Sequence, residues 1–349
     1  MKKLNKYKII AVFVLMFVYS CKEKIMQPDV IKIDVSQAKQ GILSEIVDSI
    51  SYIQLETSDE CLLSAIGLIQ YHDHHYYIYD IRAKTIYIFS ETGKYVNKLC
   101  KYGQGPGEYL GLNNFTVDSD NRIHILDLGL KQILIYDKSG EFISKINIDM
   151  DDYPRDLLCL GNKYMLYMPD KNTGARQGAY IFDPEKNTYT QILHIDEWDN
   201  KLAPVLNSHL IEKTNFEYSL VNTYSAIIYN MKGSEIVNKF RFDIGPRQHI
   251  GYTFIVCGET DNIINMHWGY WSTGSGESDH VIVCFYDKNT QALKIFRGIK
   301  NDIDGKDSGR VWSLNNQLVF DIPGDLDETG FELNPALQIW HLKKINEMP

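Results

Sequence analysis

The chain has 349 residues, with 45 acidic against 36 basic side chains and a formal net charge of −9. No cluster of lysine or arginine interrupts that acidity, which excludes a nucleic-acid binder because nothing would displace counterions from phosphates. Aromatic residues make up 12% of the sequence, 23 of them tyrosine, a composition that suits strands better than helices.

Residues 1–20 carry Lys2, Lys3, Lys6 and Lys8 and no acid, and their apolar run from Ile9 to Tyr19 is too short to span a bilayer. This is the pattern of a secretory signal. It ends in Val18-Tyr19-Ser20-Cys21, which resembles the lipobox of bacterial lipoproteins, and that resemblance implies acylation of Cys21. Acyl chains hold a protein on a membrane by burying methylenes, each contributing about 0.8 kcal/mol, so no spanning helix is needed. Residues 21–44 then read as a lipidated tether and 45–349 as the folded domain. Lys22-Glu23-Lys24 matches poorly the acid-rich surface-export signal found at this place in lipoproteins of the Bacteroides group. The expected location is the cell envelope, at the outer membrane, with the leaflet left open. Without residues 1–20 the net charge goes from −9 to about −13.

Next come short alternating strands bounded by Gly, Asn and Asp. Ile86-Tyr87-Ile88-Phe89 followed by Ser90-Glu91-Thr92-Gly93 aligns with Leu134-Ile135-Tyr136 followed by Asp137-Lys138-Ser139-Gly140. The same hairpin recurs at Tyr180-Ile181-Phe182-Asp183, Ile227-Ile228-Tyr229-Asn230, Cys284-Phe285-Tyr286-Asp287 and, more loosely, Gln338-Ile339-Trp340-His341. Taking Phe89, Tyr136, Phe182, Tyr229, Tyr286 and Trp340 as equivalent gives spacings of 47, 46, 47, 57 and 54, hence six repeats. Four strands fit in the second repeat, which is the size of one propeller blade. The last repeat ends after its third strand, while Ile50 to Glu56 forms an unassigned strand near the start. That strand is expected to complete blade six, so that a closed six-bladed β-propeller leaves no long exposed edge.

Gly103-Gln104-Gly105-Pro106-Gly107-Glu108-Tyr109, with Phe115-Thr116-Val117-Asp118, Ile123-His124-Ile125-Leu126-Asp127 and Tyr136-Asp137-Lys138-Ser139-Gly140, resembles the NHL-type repeat. Adding Leu55-Glu56-Thr57 and the lipobox, the chain resembles the six-bladed propeller lipoproteins of Bacteroides and relatives. The resemblance is specific over residues 50–148 and architectural beyond them. It implies fold and location and leaves the chemistry open.

In a blade the second-to-third turns and the blade-to-blade links open on one face, and the long insertions fall there: 102–112, 268–280 and 323–336. Long loops on a rigid scaffold are where binding resides. Gly103-Gln104-Gly105-Pro106-Gly107 could cradle an anion on its amides or form a tight inter-blade turn. Trp268, Tyr270 and Trp271 suit stacking on a sugar ring, and equally packing between blades. Arg155, His209 and Arg310 stand near the starts of innermost strands, where they could converge on the channel mouth and take a carboxylate or sulfate; Arg155 could instead pair with Asp151 or Asp152. Asp80 and Asp127 close second strands, and their recurrence argues for capping over acid–base work. His72, His74 and His75 sit on the opposite face as a solvated turn, so no metal is expected there. Nor is any nucleotide loop, Gly-x-Ser-x-Gly elbow or His-Glu-x-x-His helix present, and no cofactor is expected.

Of the five cysteines left after Cys21, namely Cys61, Cys100, Cys159, Cys257 and Cys284, none forms a C-x-x-C pair, which argues for inert thiols rather than disulfides or zinc. The expectation is a non-catalytic propeller that binds a glycan, peptide or protein ligand through the insertion-bearing face, with Gln104, Arg155, His209, Trp268, Trp271 and Arg310 as ligand-binding candidates. The alternative is a polysaccharide lyase or hydrolase acting from the same face.

Overall fold

A computed structural model describes residues 28–150, 154–168, 177–195, 209–212, 217–223, 225–244, 251–271 and 280–349. The signal and Cys21 lie outside them. The described chain opens with β1 (Asp29–Lys32), β2 (Lys39–Ile42), a one-turn helix α1 (Leu43–Ile46) and β3 (Val47–Gln54). These belong to blades that the chain builds only later. Blade one then holds β4 (Ile66–His72), β5 (His75–Asp80), β6 (Thr85–Ser90) and β7 (Tyr95–Leu99), and blade two holds β8 (Leu112–Val117), β9 (Ile123–Asp127), β10 (Gln132–Tyr136) and β11 (Phe142–Asn147). Blade three follows with β12 (Asp156–Leu160), β13 (Lys163–Met168), β14 (Gly178–Asp183) and β15 (Thr188–His194), and blade four with β16 (His209–Glu212), β17 (Glu217–Asn222), β18 (Ile227–Lys232) and β19 (Glu235–Asp243). Blade five consists of β20 (Gly251–Glu259), β21 (Ile263–Trp271), β22 (His280–Asp287) and β23 (Leu293–Lys300); blade six starts with β24 (Val311–Leu314), β25 (Gln317–Ile322) and β26 (Ala336–Leu342).

Six sheets result, one to a blade, and the four strands of each blade are antiparallel from the inner to the outer. The fold is therefore an all-β, six-bladed propeller. Phe89, Tyr136, Phe182, Tyr229, Tyr286 and Trp340, the six positions that set the repeat spacing, all lie on third strands and are all buried. They recur because each blade presents a wide aromatic to the wedge between itself and its neighbour. The core is divided accordingly into clusters, one at each of the six blade junctions.

The outermost strand of blade six is β3, which pairs antiparallel with β26 from Ala336↔Gln54 to Leu342↔Val47. Residues 55–65 then carry the chain to β4, and Asn334 fastens this junction. Its side chain accepts from Leu63 N at 2.7 Å and donates to the carbonyls of Glu56 and Cys61 at 2.6 and 2.7 Å, fully buried. Gly93 completes the contact between blades. It has φ +80°, and a side chain there would meet the Gln54 carbonyl at 2.1 Å.

The stretch expected to be a tether is partly structured. β1 lies parallel on β19 as a fifth strand of blade four, and β2 lies parallel on β23 as a fifth strand of blade five. Residues 28–46 thus form a strap round the periphery, with Ile33 and Leu43 buried in the junctions it crosses. Four-residue strands with no hairpin partner leave no periodic signal, which is why sequence alone suggests a linker here. No helix among the described residues is long and apolar enough to cross a membrane.

Candidate functional site

The blade-to-blade links and second-to-third turns share one face, and its sequence candidates divide sharply. Arg310 stands at the entrance to β24 and leans over the Trp312 ring at 5.1 Å, while its guanidinium donates to the Ile66 carbonyl at the head of β4. Below it, one oxygen of Asp321 accepts from Arg310 N at 2.8 Å and Trp312 Nε1 at 3.1 Å. Arg310 therefore spans the mouth from blade six to blade one. Arg155 is exposed at the entrance to β12, and its backbone N–H donates to Tyr167 O at 2.8 Å. His209 heads the inner strand β16, and Trp271 ends β21. By topology, Arg155, His209 and Arg310 occupy the same end of inner strands in blades three, four and six. Asp151 and Asp152, the suggested partners of Arg155, lie outside the described residues.

Trp268 corrects the expected aromatic insertion. β21 runs on to Trp271, and Trp268 is fully buried, stacked on Phe254 with centroids 4.8 Å apart in the junction of blades four and five. It is a core residue. Tyr270 pairs with both Tyr252 and His280 and stacks on the latter's ring at 4.8 Å. An alternating aromatic run flanked by two partner strands extends the sheet, so the loop begins only at residue 272, and 272–279 lie outside the described residues.

The glycine loop folds on itself. Glu108 Oε2 accepts from Gly105 N at 2.7 Å, and a side chain on Gly103 would lie 2.1 Å from that oxygen. The cradle that could have taken an anion holds the chain's own carboxylate, leaving Gln104 exposed at the tip. Beneath it, buried Tyr109 donates its hydroxyl to Lys84 O at 2.5 Å, anchoring the loop.

Asp80 and Asp127 are caps. The Asp80 carboxylate accepts from the backbone of Ser64, Ala65, Arg82 and Ala83, and Asp127 from Leu110, Gly111 and Leu130. Each ties the incoming link to the second-to-third turn of its blade, and both are fully buried. Burial alone would raise the Asp80 carboxyl, but the N–H groups of Ala83, Ser64 and Ala65 outweigh it and hold it below the usual value. This is the environment of a structural carboxylate, not of a proton donor.

The acidic insertion is a preformed hairpin. Asp327 accepts from Thr329 N and Phe331 N, Leu326 bridges Glu332, and Lys306 donates to Asp325 at 2.8 Å from the neighbouring link. At its tip Leu326 and Phe331 are 69% and 48% exposed. Exposed apolar side chains mark this face from the blade five-to-six link round to blade two. Leu62, Ile81, Tyr102, Leu130, Ile303, Leu326 and Phe331 all lie in its links and turns, and the other exposed large hydrophobics lie on strands, so among the described residues the opposite-face turns carry none.

The opposite face and the blade interiors hold the histidines. Asp73 and His74 form the first-to-second turn of blade one with positive φ, and His74 bonds Glu91 at 2.7 Å, a surface pair. Among the described residues no group of three or more His, Cys, Asp or Glu could hold a metal. Sequence reasoning missed a buried chain in the wedge between blades two and three: Asp118 bonds His124 Nε2 at 2.9 Å, and His124 Nδ1 meets the Tyr164 hydroxyl at 2.8 Å. Burial pushes His124 down more strongly than Asp118 raises it, so the imidazole is neutral and the chain joins blades rather than moving protons. Burial likewise pushes His267, between blades five and six, down to about 4.

Both histidines protonate more readily in the unfolded chain. Stability is thus complete above an ordinary histidine pKa of 6.5 and declines as pH falls towards about 4. Thermal melting should show this decline, and His267→Gln should flatten it; a profile unchanged by that substitution would refute the assignment of His267.

Comparison with known proteins follows the fold. No curated protein matches the chain. A protein from Bacteroides fragilis, described as exported, has a similar structure with a TM-score of 0.68 at 18% identity, covering 90% of this chain and 100% of that one. A member of the DUF4221 family from Bacteroides vulgatus superposes with a TM-score of 0.56 at 10% identity, covering 85% of this chain and 97% of that one. At these identities the likeness speaks for the fold alone. The model of the family described as a domain of unknown function, DUF4934, matches residues 28–347, and the chain belongs to that family.

Proposed function

We propose that the protein is a cell-envelope lipoprotein, held at the outer membrane by lipid on Cys21, whose NHL-like propeller binds a protein ligand without turnover through its insertion-bearing face. The observation that carries this reading is the asymmetry between the two faces: exposed aliphatic and aromatic side chains in the links and turns of one, and none in the described turns of the other. Exposed apolar groups gathered on one face of a scaffold mark interaction sites. They sit on preformed loops, so little ordering entropy is lost on binding. A protein suits them better than a glycan, since Trp268, one of the three aromatics that in sequence suit sugar stacking, is buried. Arg310, over Trp312 at the channel mouth, supplies the polar anchor. Capped Asp80 and Asp127 count against a lyase or hydrolase on this face.

Photo-crosslinkers placed in cells at positions 102 and 326 should trap a common partner, and Phe331→Asp should weaken its binding by about 1–4 kcal/mol. Crosslinkers at positions 74 and 121 should trap nothing in common with them. The same species caught from both faces, or caught from the opposite face alone, would refute the reading. Cys21→Ser should release the protein from membranes; persistence there with fatty-acid label would refute the anchor.

A further inference from the structure

The periphery offers a second kind of site, which meets the insertion-bearing face at Leu130. On blade four, β1 runs parallel to β19 with Val30↔Arg241 and Ile31↔Phe242, and Ile33 N donates to Asp243 O at 2.7 Å. Ile31 and Ile33 fill the groove between Phe240, Phe242 and the third-strand aromatic of the next blade, Tyr286. Blade two repeats that edge residue by residue. Lys145-Ile146-Asn147-Ile148-Asp149 matches Lys239-Phe240-Arg241-Phe242-Asp243. Phe242 N donates to Ala226 O at 3.0 Å, and Ile148 N donates to Lys131 O at 2.8 Å, where Ala226 and Lys131 both have φ +52°. Phe182 holds the place of Tyr286. Where Ile31 and Ile33 sit on blade four, blade two has a cavity of about 710 Å³ lined by Ile146, Ile148, Phe182, Pro184, Lys131 and Lys145.

We infer that the outer edge of β11 is a strand-docking site for an extended segment of another protein, seated parallel to it with two alternating aliphatic residues in the cavity. The backbone supports this. Because Ile148 turns its N–H inward to β10, ladder alternation turns the amide groups of Asn147 and Asp149 outward. The Asp149 N–H donates to the Tyr189 hydroxyl at 2.9 Å, with Tyr189 stacked on Phe182 at 4.5 Å, which leaves Asn147 as the main pairing position. Main-chain pairing supplies the affinity in such strand addition and the side-chain pockets supply the selectivity. Lys131 and Lys145 at the rim favour acidic flanks, as the strap has in Asp29, which opens β1, and Asp34, which follows it. Charge, shape and edge thus specify the chemistry of residues 29–34: an acid at each end with alternating aliphatics, Ile31 and Ile33, between them.

The probe is a labelled peptide of that sequence, Pro28-Asp29-Val30-Ile31-Lys32-Ile33-Asp34, titrated into the intact mature protein and followed by anisotropy. Saturable binding is expected, weakened about tenfold or more by Asn147→Pro, which removes the outward N–H at an edge position that tolerates proline. Lys145→Glu, an exposed change, should weaken it too, and a peptide with Ile31→Asp and Ile33→Asp should not bind. Melting curves of both protein variants guard against loss of fold. Absence of saturable binding, or equal binding by both folded variants, overturns the proposal. So does a dimer of the protein that Asn147→Pro dissolves while the peptide fails to bind, since that would assign the edge to self-association.

Discussion

Deletion of residues 45–57 is expected to leave a protein that does not fold as a monomer. The deletion removes β3, and with it Ile46, Val47 and Leu55, all buried in the junctions on either side of blade six. Burying three such side chains stabilises by roughly 5–9 kcal/mol, which is comparable to the whole stability of a typical domain. It also exposes the unpaired edge of β26, which invites aggregation. A gentler test uses Asn334→Ala, which orphans Leu63 N and Cys61 O and leaves Glu56 O with the Cys61 thiol alone. Each unsatisfied buried group costs about 1–3 kcal/mol, so a loss of about 2–6 kcal/mol is expected in denaturant melts. A deletion variant that melts like the parent would show that the ring does not depend on its first strand.

Trp268→Ala should cost about 3–5 kcal/mol of stability. Its indole stacks on Phe254 within a junction that also holds Met266, Ile282 and Cys284, so truncation opens a cavity the rigid strands cannot close. Once a ligand is known, the variant that remains folded should bind it normally. Undiminished stability with lost binding would return Trp268 to the ligand site.

The architecture was legible because it repeats. Six third-strand aromatics at spacings of 46 to 57 residues encode six blades, and an unpaired strand at one end with a missing one at the other identifies the outer strand of blade six. Features that arise from juxtaposition were not. Asn334 reads as an ordinary loop residue, and only the folded chain places it against Glu56 and Cys61. The strap over residues 28–46 has strands of four residues, too short for a period to show. Glu108 filling the cradle of Gly103 and Gly105 could have been suspected from a carboxylate so close to two glycines, but its direction depends on Tyr109 being drawn into the core. The candidate face was legible in its location, since long loops mark it. Its character was not, because exposure of Leu326 and Phe331 depends on how Asp327 turns the hairpin.

The most direct test of binding through the insertion-bearing face is hydrogen exchange of the mature protein, alone and with its purified crosslinked partner. Protection should appear in residues 101–110, 301–310 and 323–335, the links and hairpin that carry Tyr102, Ile303, Leu326 and Phe331. Protection confined to the opposite-face turns, such as 91–94 and 119–122, would contradict the account.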